Sequence, residues 1–223
     1  MLQYNKNKMK RGYIMNIRKV ISNKFFLGGL LITAFIYSTI LCFFRNPLVP
    51  DNTISMIGVE FPPLFLLWIL LNGCAFFFCH LTMEKTYGWN TKLGRSLKWG
   101  ALIAMPVFYF VNATMVDGVP VYLGISKPIH WAAAIVFIGC NAAAMGFLFI
   151  YARKQVPRFN IFIGLIIAMV VCMIAVIIFI GKSALFEAIP SWLSYIMLFF
   201  VNCTSLFAPP AAVLEKQPAE QTA

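Results

Sequence analysis

The chain has 223 residues, of which 61% are hydrophobic and only 11% are charged. This composition excludes an ordinary soluble globule, because too little polar material is present to cover its surface. The net charge of +11 does not indicate nucleic-acid binding, since the cations lie in short loops and an N-terminal arm rather than on one polar face. We therefore predict an integral membrane protein that does not bind nucleic acid.

Uncharged stretches of about twenty residues recur along the chain, and each is long enough to cross about 30 Å of hydrocarbon as a helix. Strands of a membrane barrel would instead alternate polar and apolar residues over about ten positions. The fold class is therefore all-α, a polytopic membrane helix bundle with six transmembrane helices. The predicted spans are residues 25–44, 62–83, 99–116, 129–152, 159–181 and 189–208.

The distribution of cations predicts how these spans are oriented. Counted on alternate sides of the spans, fifteen of the eighteen Lys and Arg residues fall on one side. Because short cytoplasmic loops are enriched in Lys and Arg, both termini are predicted to be cytoplasmic, in a plasma or inner membrane. The predicted organisation is a basic arm at 1–24, a transmembrane domain at 25–208 and a polar tail at 209–223.

Prolines stand at the start of each span that begins on the outer side. Pro62, Pro128 and Pro190 are predicted to lie in first helical turns, where the missing N–H of proline would have no partner anyway. Pro106 lies in the middle of the third span and is predicted to kink that helix.

Three asparagines lie inside predicted spans that start on the outer side, namely Asn72, Asn141 and Asn202. Their depths are broadly comparable, so we predict that they converge on one polar layer. Such a layer could bind a ligand or pass a small solute. It could equally join the helices through hydrogen bonds and have no ligand.

Charged and titratable residues cluster at the outer ends of the same spans. Glu60, His130 and Glu187 are predicted to converge into one titratable site, although each could simply cap a helix or lie at the membrane interface. Near the inner end of the second span, His80 and Glu84 have the four-residue spacing of an interacting pair on one helical face.

Motifs for metals, cofactors and common catalytic centres are missing from the sequence. The six cysteines are scattered over the spans, and two histidines are too few for a multi-histidine metal site. The chain contains no H-E-x-x-H motif, no G-x-S-x-G motif and no phosphate-binding loop with a lysine. We therefore predict no metal and no cofactor.

Short motifs at the outer ends of the spans carry a resemblance to a known family. They are the run Thr53 to Gly58 followed by Glu60 and Pro62, the run Pro128 to His130 followed by Ala132 to Ala134 and Phe137, and Phe186 and Glu187 followed by Trp192.

In this order the motifs resemble the DRAM-like family of six-span proteins, which groups autophagy modulators, GPI-anchor remodelling proteins and prokaryotic relatives. The resemblance implies a role in lipid handling or membrane homeostasis, without one agreed reaction. The positions that would correspond to the family's outer motifs are Ser55, Gly58, Glu60, His130 and Glu187.

Three functions remain open from the sequence. The first is a membrane protein without catalytic activity that binds or moves a lipid or a small amphiphile. The second is an intramembrane lipid-modifying enzyme in which His130 acts as a base beside Glu60 or Glu187. The third is a channel for a small solute or an ion that uses the asparagine layer. The predicted partners are membrane lipids, and a second copy of the chain or another membrane protein is left open.

Overall fold

The computed structural model describes residues 22–50, 52–116 and 119–210. Most of the predicted basic arm and polar tail lies outside these residues. The elements are α1 (Lys24–Cys42), α2 (Ile54–Glu60), α3 (Pro62–Tyr87), α4 (Lys92–Phe110), β1 (Thr114–Val116), β2 (Val119–Val121), α5 (Ser126–Ala152), α6 (Phe159–Phe179) and α7 (Ala184–Cys203). The two strands form a short antiparallel hairpin.

Five helices of the described residues are long and apolar enough to cross a membrane, namely α1, α3, α5, α6 and α7. The bundle also exposes large apolar side chains over much of its surface, such as Ile167, Ile178 and Phe179 on α6. In water this surface would be unfavourable, but hydrocarbon solvates it. The helical membrane bundle predicted from composition is thereby confirmed in its general form.

The third predicted span differs most from the structure. The sequence predicts a span at 99–116, whereas α4 begins at Lys92 and ends at Phe110, and the chain then turns into β1. The side chain of Thr91 accepts a hydrogen bond from the Gly94 amide at 3.0 Å and caps the helix at its polar start. Hydropathy assigns such a polar first turn to a loop, because it does not register caps.

The start of the sixth predicted span was also wrong. That span was placed at 189–208, but α7 begins at Ala184. Pro190 therefore lies inside the helix, and Glu187 occupies the first turn instead. The prediction for Pro62, at the start of α3, is confirmed, and Pro106 lies inside α4 as expected, while the kink stays a prediction.

Consecutive long helices run in opposite directions, which gives the bundle two distinct ends. At the basal end, Tyr87 donates a hydrogen bond from its hydroxyl to the Phe207 carbonyl at 2.7 Å, and Gln155 donates to the Tyr87 carbonyl at 3.1 Å. At the opposite, hairpin end, the Asn112 amide donates to the Ser55 carbonyl at 3.0 Å. The starts of α1, α4 and α6 lie at the basal end, and those of α3, α5 and α7 lie at the hairpin end.

A buried polar network joins α1, α3 and α7 near the middle of the bundle. The Trp68 indole donates to the Ser38 hydroxyl at 2.8 Å, and that hydroxyl lies 3.3 Å from the Tyr195 hydroxyl. Tyr195 in turn donates to the Asn72 side-chain oxygen, to which Ser191 also donates at 3.5 Å. In hydrocarbon such bonds between helices contribute about 0.6 kcal/mol each on average, so the network fixes how the helices pack.

Candidate functional site

A cavity of about 330 Å³, here called the main cavity, lies among α3, α4, α5, α6 and α7. Small-molecule sites in proteins usually occupy roughly 300–1,000 Å³. The cavity begins at the hairpin end beside His130 and extends inwards to Asn141. These residues are eleven positions apart on α5, which corresponds to about 16 Å along the helix.

One wall of the main cavity is polar and comes from α7. Glu187, Ser191 and Ser194 line it at the spacing that places residues on one helical face. Ser191 and Ser194 are buried, and Asn141 on α5 lines the deeper end. Pro190 lies on the same stretch and lacks the N–H that would bond to the carbonyl four residues earlier, so the helix is weakened beside Glu187.

The opposite wall is apolar and comes from α6 and the neighbouring face of α5. Met169, Met173 and Ile177 line it from α6, and Ile135 lines it from α5. Ile135 and Ile177 are also exposed on the outer surface of the bundle, at 66% and 46%. The main cavity therefore reaches the lipid-facing surface between α5 and α6.

His130 lies at the hairpin end of the main cavity and is only 1% exposed. Its ring packs against Phe108 and Tyr122, with centroids 4.6 and 5.9 Å away. Apart from a weak contact with the Phe108 backbone, neither ring nitrogen has a hydrogen-bond partner among the described residues. Burial of an imidazole without such partners costs free energy of folding unless a bound ligand or water forms the hydrogen bonds.

Glu187 lies at the same end of the main cavity as His130, and it also binds the start of α2. Its two carboxylate oxygens accept hydrogen bonds from the Ser55 amide and the Ser55 hydroxyl, each at 3.0 Å. Ser55 lies in the first turn of α2, so the carboxylate stabilises the positive end of that helix. Burial, and to a smaller extent the nearby Glu187, raises the pKa of Tyr122, which therefore stays protonated near neutral pH.

Lys182 is the cation at the hairpin end of the main cavity. Its ammonium group lies 3.8 Å from the centre of the Trp131 ring, which is a cation–π contact. Lys182, His130 and Glu187 all line the cavity. A cation, an imidazole and a carboxylate therefore lie together at the hairpin end of the main cavity.

Glu60 does not join this group. Its carboxylate forms an ion pair with Arg45, and it does not line the main cavity. Glu60 ends α2, whereas Glu187 binds the start of the same helix. The short helix thus holds the two carboxylates apart, and only Glu187 and His130 of the three predicted residues share the site.

The asparagines do not form the predicted hydrogen-bonded layer. Asn72, Asn141 and Asn202 each donate to the carbonyl four residues earlier in their own helix, at 2.8 to 2.9 Å. They lie ten, fifteen and eighteen residues from the starts of their helices, or about 15, 22 and 27 Å along them. Asn141 lines the main cavity, Asn72 belongs to the polar network, and Asn202 lies near the basal end.

A second polar group lies deeper in the bundle, towards the basal end. Glu84 forms an ion pair with Lys98 rather than with His80, which corrects the pairing expected from sequence spacing. His80 is 1% exposed, and neither of its ring nitrogens has a hydrogen-bond partner among the described residues. A second cavity of about 10 Å³ lies beside His80, Lys98 and Asn141.

Comparison with protein-family models, with curated proteins and with solved structures finds no match to this chain. The resemblance to the DRAM-like family therefore stays a prediction from short motifs. Sequence reasoning missed Lys182, Ser191 and Ser194 as cavity residues. The spacing of Glu187, Ser191 and Ser194 was a readable signal, because three polar residues on one face of an apolar helix indicate a polar surface.

Proposed function

We propose that the protein binds a lipid or another small amphiphile from the bilayer in the main cavity, and that it either holds or moves this ligand. The observation that carries the proposal is the main cavity itself, which has one apolar wall, one polar wall and an opening towards lipid. A molecule with a polar head and an apolar chain matches that division, since each part would meet a surface of its own kind.

The depth of the main cavity supports a ligand with one chain. Its span of about 16 Å along α5 is close to half of a hydrocarbon core about 30 Å thick. A chain that enters from one leaflet would therefore reach from His130 to the level of Asn141. The head would lie beside Lys182, His130 and Glu187, and the chain would lie against Met169 and Met173.

The membrane topology belongs to the same proposal. All six long helices span the bilayer, α4 included, with both termini in the cytoplasm, because the cations are concentrated in the arm and the basal loops. Two exposed cations of α4, Lys92 and Arg95, lie at its basal start, where they would reach the headgroups. A reporter fused after Ala223 should read cytoplasmic and one inserted at 118–126 external, and an external C-terminus would refute this arrangement.

The ligand proposal can be tested by blocking the main cavity. Gly139 lines it, and a side-chain carbon added there would meet no atom within 4 Å, so Gly139→Leu introduces no clash with the backbone. Gly146 lies two turns further along α5, has the same open surroundings and does not line the cavity. Gly146→Leu is therefore a matched control.

The probe is a lysophospholipid that carries a diazirine in the middle of its single acyl chain, incorporated in nanodiscs with the purified full-length protein. We expect irradiation to label Met169 or Met173, and peptide mass spectrometry to locate the label. Gly139→Leu should reduce this labelling at least about fivefold, because an added side chain fills the space, and Gly146→Leu should not. Equal labelling of the two variants would contradict the proposal.

Lipid-modifying chemistry is the second candidate, and one observation favours it: the His130 imidazole lines the main cavity and, apart from the weak Phe108 contact, has no hydrogen-bond partner among the described residues. Such a ring could accept a proton from a lipid hydroxyl or from water. Incubation of the full-length protein with a radiolabelled phospholipid tests this candidate. A product that forms with the native protein but not with His130→Gln would support an enzyme. Photolabelling without any product would support ligand binding and contradict the enzyme.

A further inference from the structure

Two buried histidines, His130 near the hairpin end and His80 towards the basal end, have no hydrogen-bond partner among the described residues apart from the weak contact of His130 with the Phe108 backbone. Two adjoining cavities lie between them. His130 lines the main cavity, and His80 lines the second cavity. Three residues line both cavities, namely Phe76, Phe137 and Asn141. From this arrangement we propose that the protein conducts protons across the membrane along a path from His130 to His80. The proposal does not require the amphiphile, because water fills the main cavity when no amphiphile is bound.

The outer half of the path is the polar wall of α7. Glu187, Ser191 and Ser194 follow one another down one helical face, at spacings of about 5–6 Å between neighbours. Hydroxyl groups donate and accept at once, so they can hold a chain of water along the wall. His130 accepts a proton on one ring nitrogen at the mouth and releases one from the other, and the imidazole returns to its neutral state.

The connection between the two halves is at Asn141. Its amide group donates to the Phe137 carbonyl at 2.9 Å, while its oxygen accepts no hydrogen bond from a described residue. The second cavity, at about 10 Å³, has room for one water molecule, which needs two to four polar partners. The Asn141 oxygen, the His80 imidazole and the Lys98 ammonium group are partners of that kind on its lining.

The inner half of the path ends at the Lys98–Glu84 ion pair. Lys98 on α4 and Glu84, one turn along the same helix as His80, form an ion pair near this imidazole. The pair has no net charge, and one Glu84 oxygen has no hydrogen-bond partner among the described residues. In the proposed path, the unpaired Glu84 oxygen accepts the proton that leaves His80. Ionisable groups within a membrane bundle commonly mark such relays.

Proton flux into vesicles tests the path. The full-length protein is reconstituted into phosphatidylcholine vesicles that contain a pH-sensitive dye, and a potassium gradient with valinomycin supplies the driving potential. We expect proton entry at least about tenfold above protein-free vesicles, and a fall to the protein-free level in both His80→Phe and His130→Phe. Asn202→Leu, which removes a buried amide outside both cavities, should conduct like the native protein.

A second measurement separates loss of conduction from loss of folding. The chain has two histidines, so ¹⁵N-labelled histidine in His130→Phe reports on His80 alone. If the path is real, the ring N–H of His80 exchanges with solvent in the folded variant. Native vesicles no leakier than protein-free ones, flux that persists in either histidine variant, or a His80 ring closed to exchange would each overturn the proposal.

Discussion

The ion pair between Lys98 and Glu84 tests how much stability is lost when a buried charge in this bundle loses its partner. The two side chains are only 8% and 10% exposed, and one Glu84 oxygen lacks a partner among the described residues. Lys98→Met keeps the length of the side chain and removes its charge. The Glu84 carboxylate then stays in desolvated surroundings without the cation that compensates it.

Removal of one partner of a buried ion pair costs about 3–5 kcal/mol, and we expect Lys98→Met to lower the free energy of unfolding by that amount. The double variant Lys98→Met/Glu84→Gln should lie within about 1 kcal/mol of the native protein, because neither charge remains to be desolvated. Arg45→Met is the matched control. Its pair with Glu60 is 38% and 27% exposed, and exposed pairs contribute at most about 1 kcal/mol.

Reversible unfolding by sodium dodecyl sulfate in mixed micelles measures these free energies, with far-ultraviolet circular dichroism as the signal. The decisive comparison is between Lys98→Met and the double variant. If Lys98→Met cost no more than Arg45→Met, or if the double variant were as unstable as the single one, the desolvation argument would be refuted.

Three further substitutions probe other contacts. Tyr195→Phe removes the hydroxyl that donates to Asn72 and should lower the free energy of unfolding by about 0.6 to 1.7 kcal/mol in the same micelle assay. An unchanged free energy would show that the Ser191 hydroxyl replaces the lost hydrogen bond. Gly88→Ala should cost about 1–2 kcal/mol there, because Gly88 ends α3 at a φ of 71°, and a neutral result would contradict this strain. Glu187→Ala should speed hydrogen exchange of the first α2 amides roughly fivefold, a loss of about 1 kcal/mol, and unchanged exchange would contradict the cap.

The candidate site illustrates what spacing along the chain can and cannot predict. His130 and Glu187 were chosen because they begin neighbouring outer segments, and both line the main cavity. Glu60 was chosen on the same ground but pairs with Arg45, because α2 folds between the loop and the bundle. A helix of seven residues leaves too weak a hydropathy signal to be found in a sequence.

The buried pairs show the same limit. The four-residue spacing of His80 and Glu84 predicted a contact, but the Glu84 carboxylate forms its ion pair with Lys98, fourteen residues later in the chain. Asn72 bonds with Tyr195, which is 123 residues away. Such partners depend on which helices are neighbours and how each is rotated about its axis, and neither property is local.

The amino-acid sequence by itself determined the membrane class, the number of long helices and most of their approximate positions. These follow from the length of apolar runs and from proline and cap preferences, each of which acts within a few residues. Only the tertiary structure decided that α7 presents its polar face to an apolar face of α6, and that His80 and His130 line adjoining cavities. The reason is that hydrocarbon places every apolar helix at a similar free energy whichever way it faces, so side-chain packing and a few hydrogen bonds between helices select the arrangement.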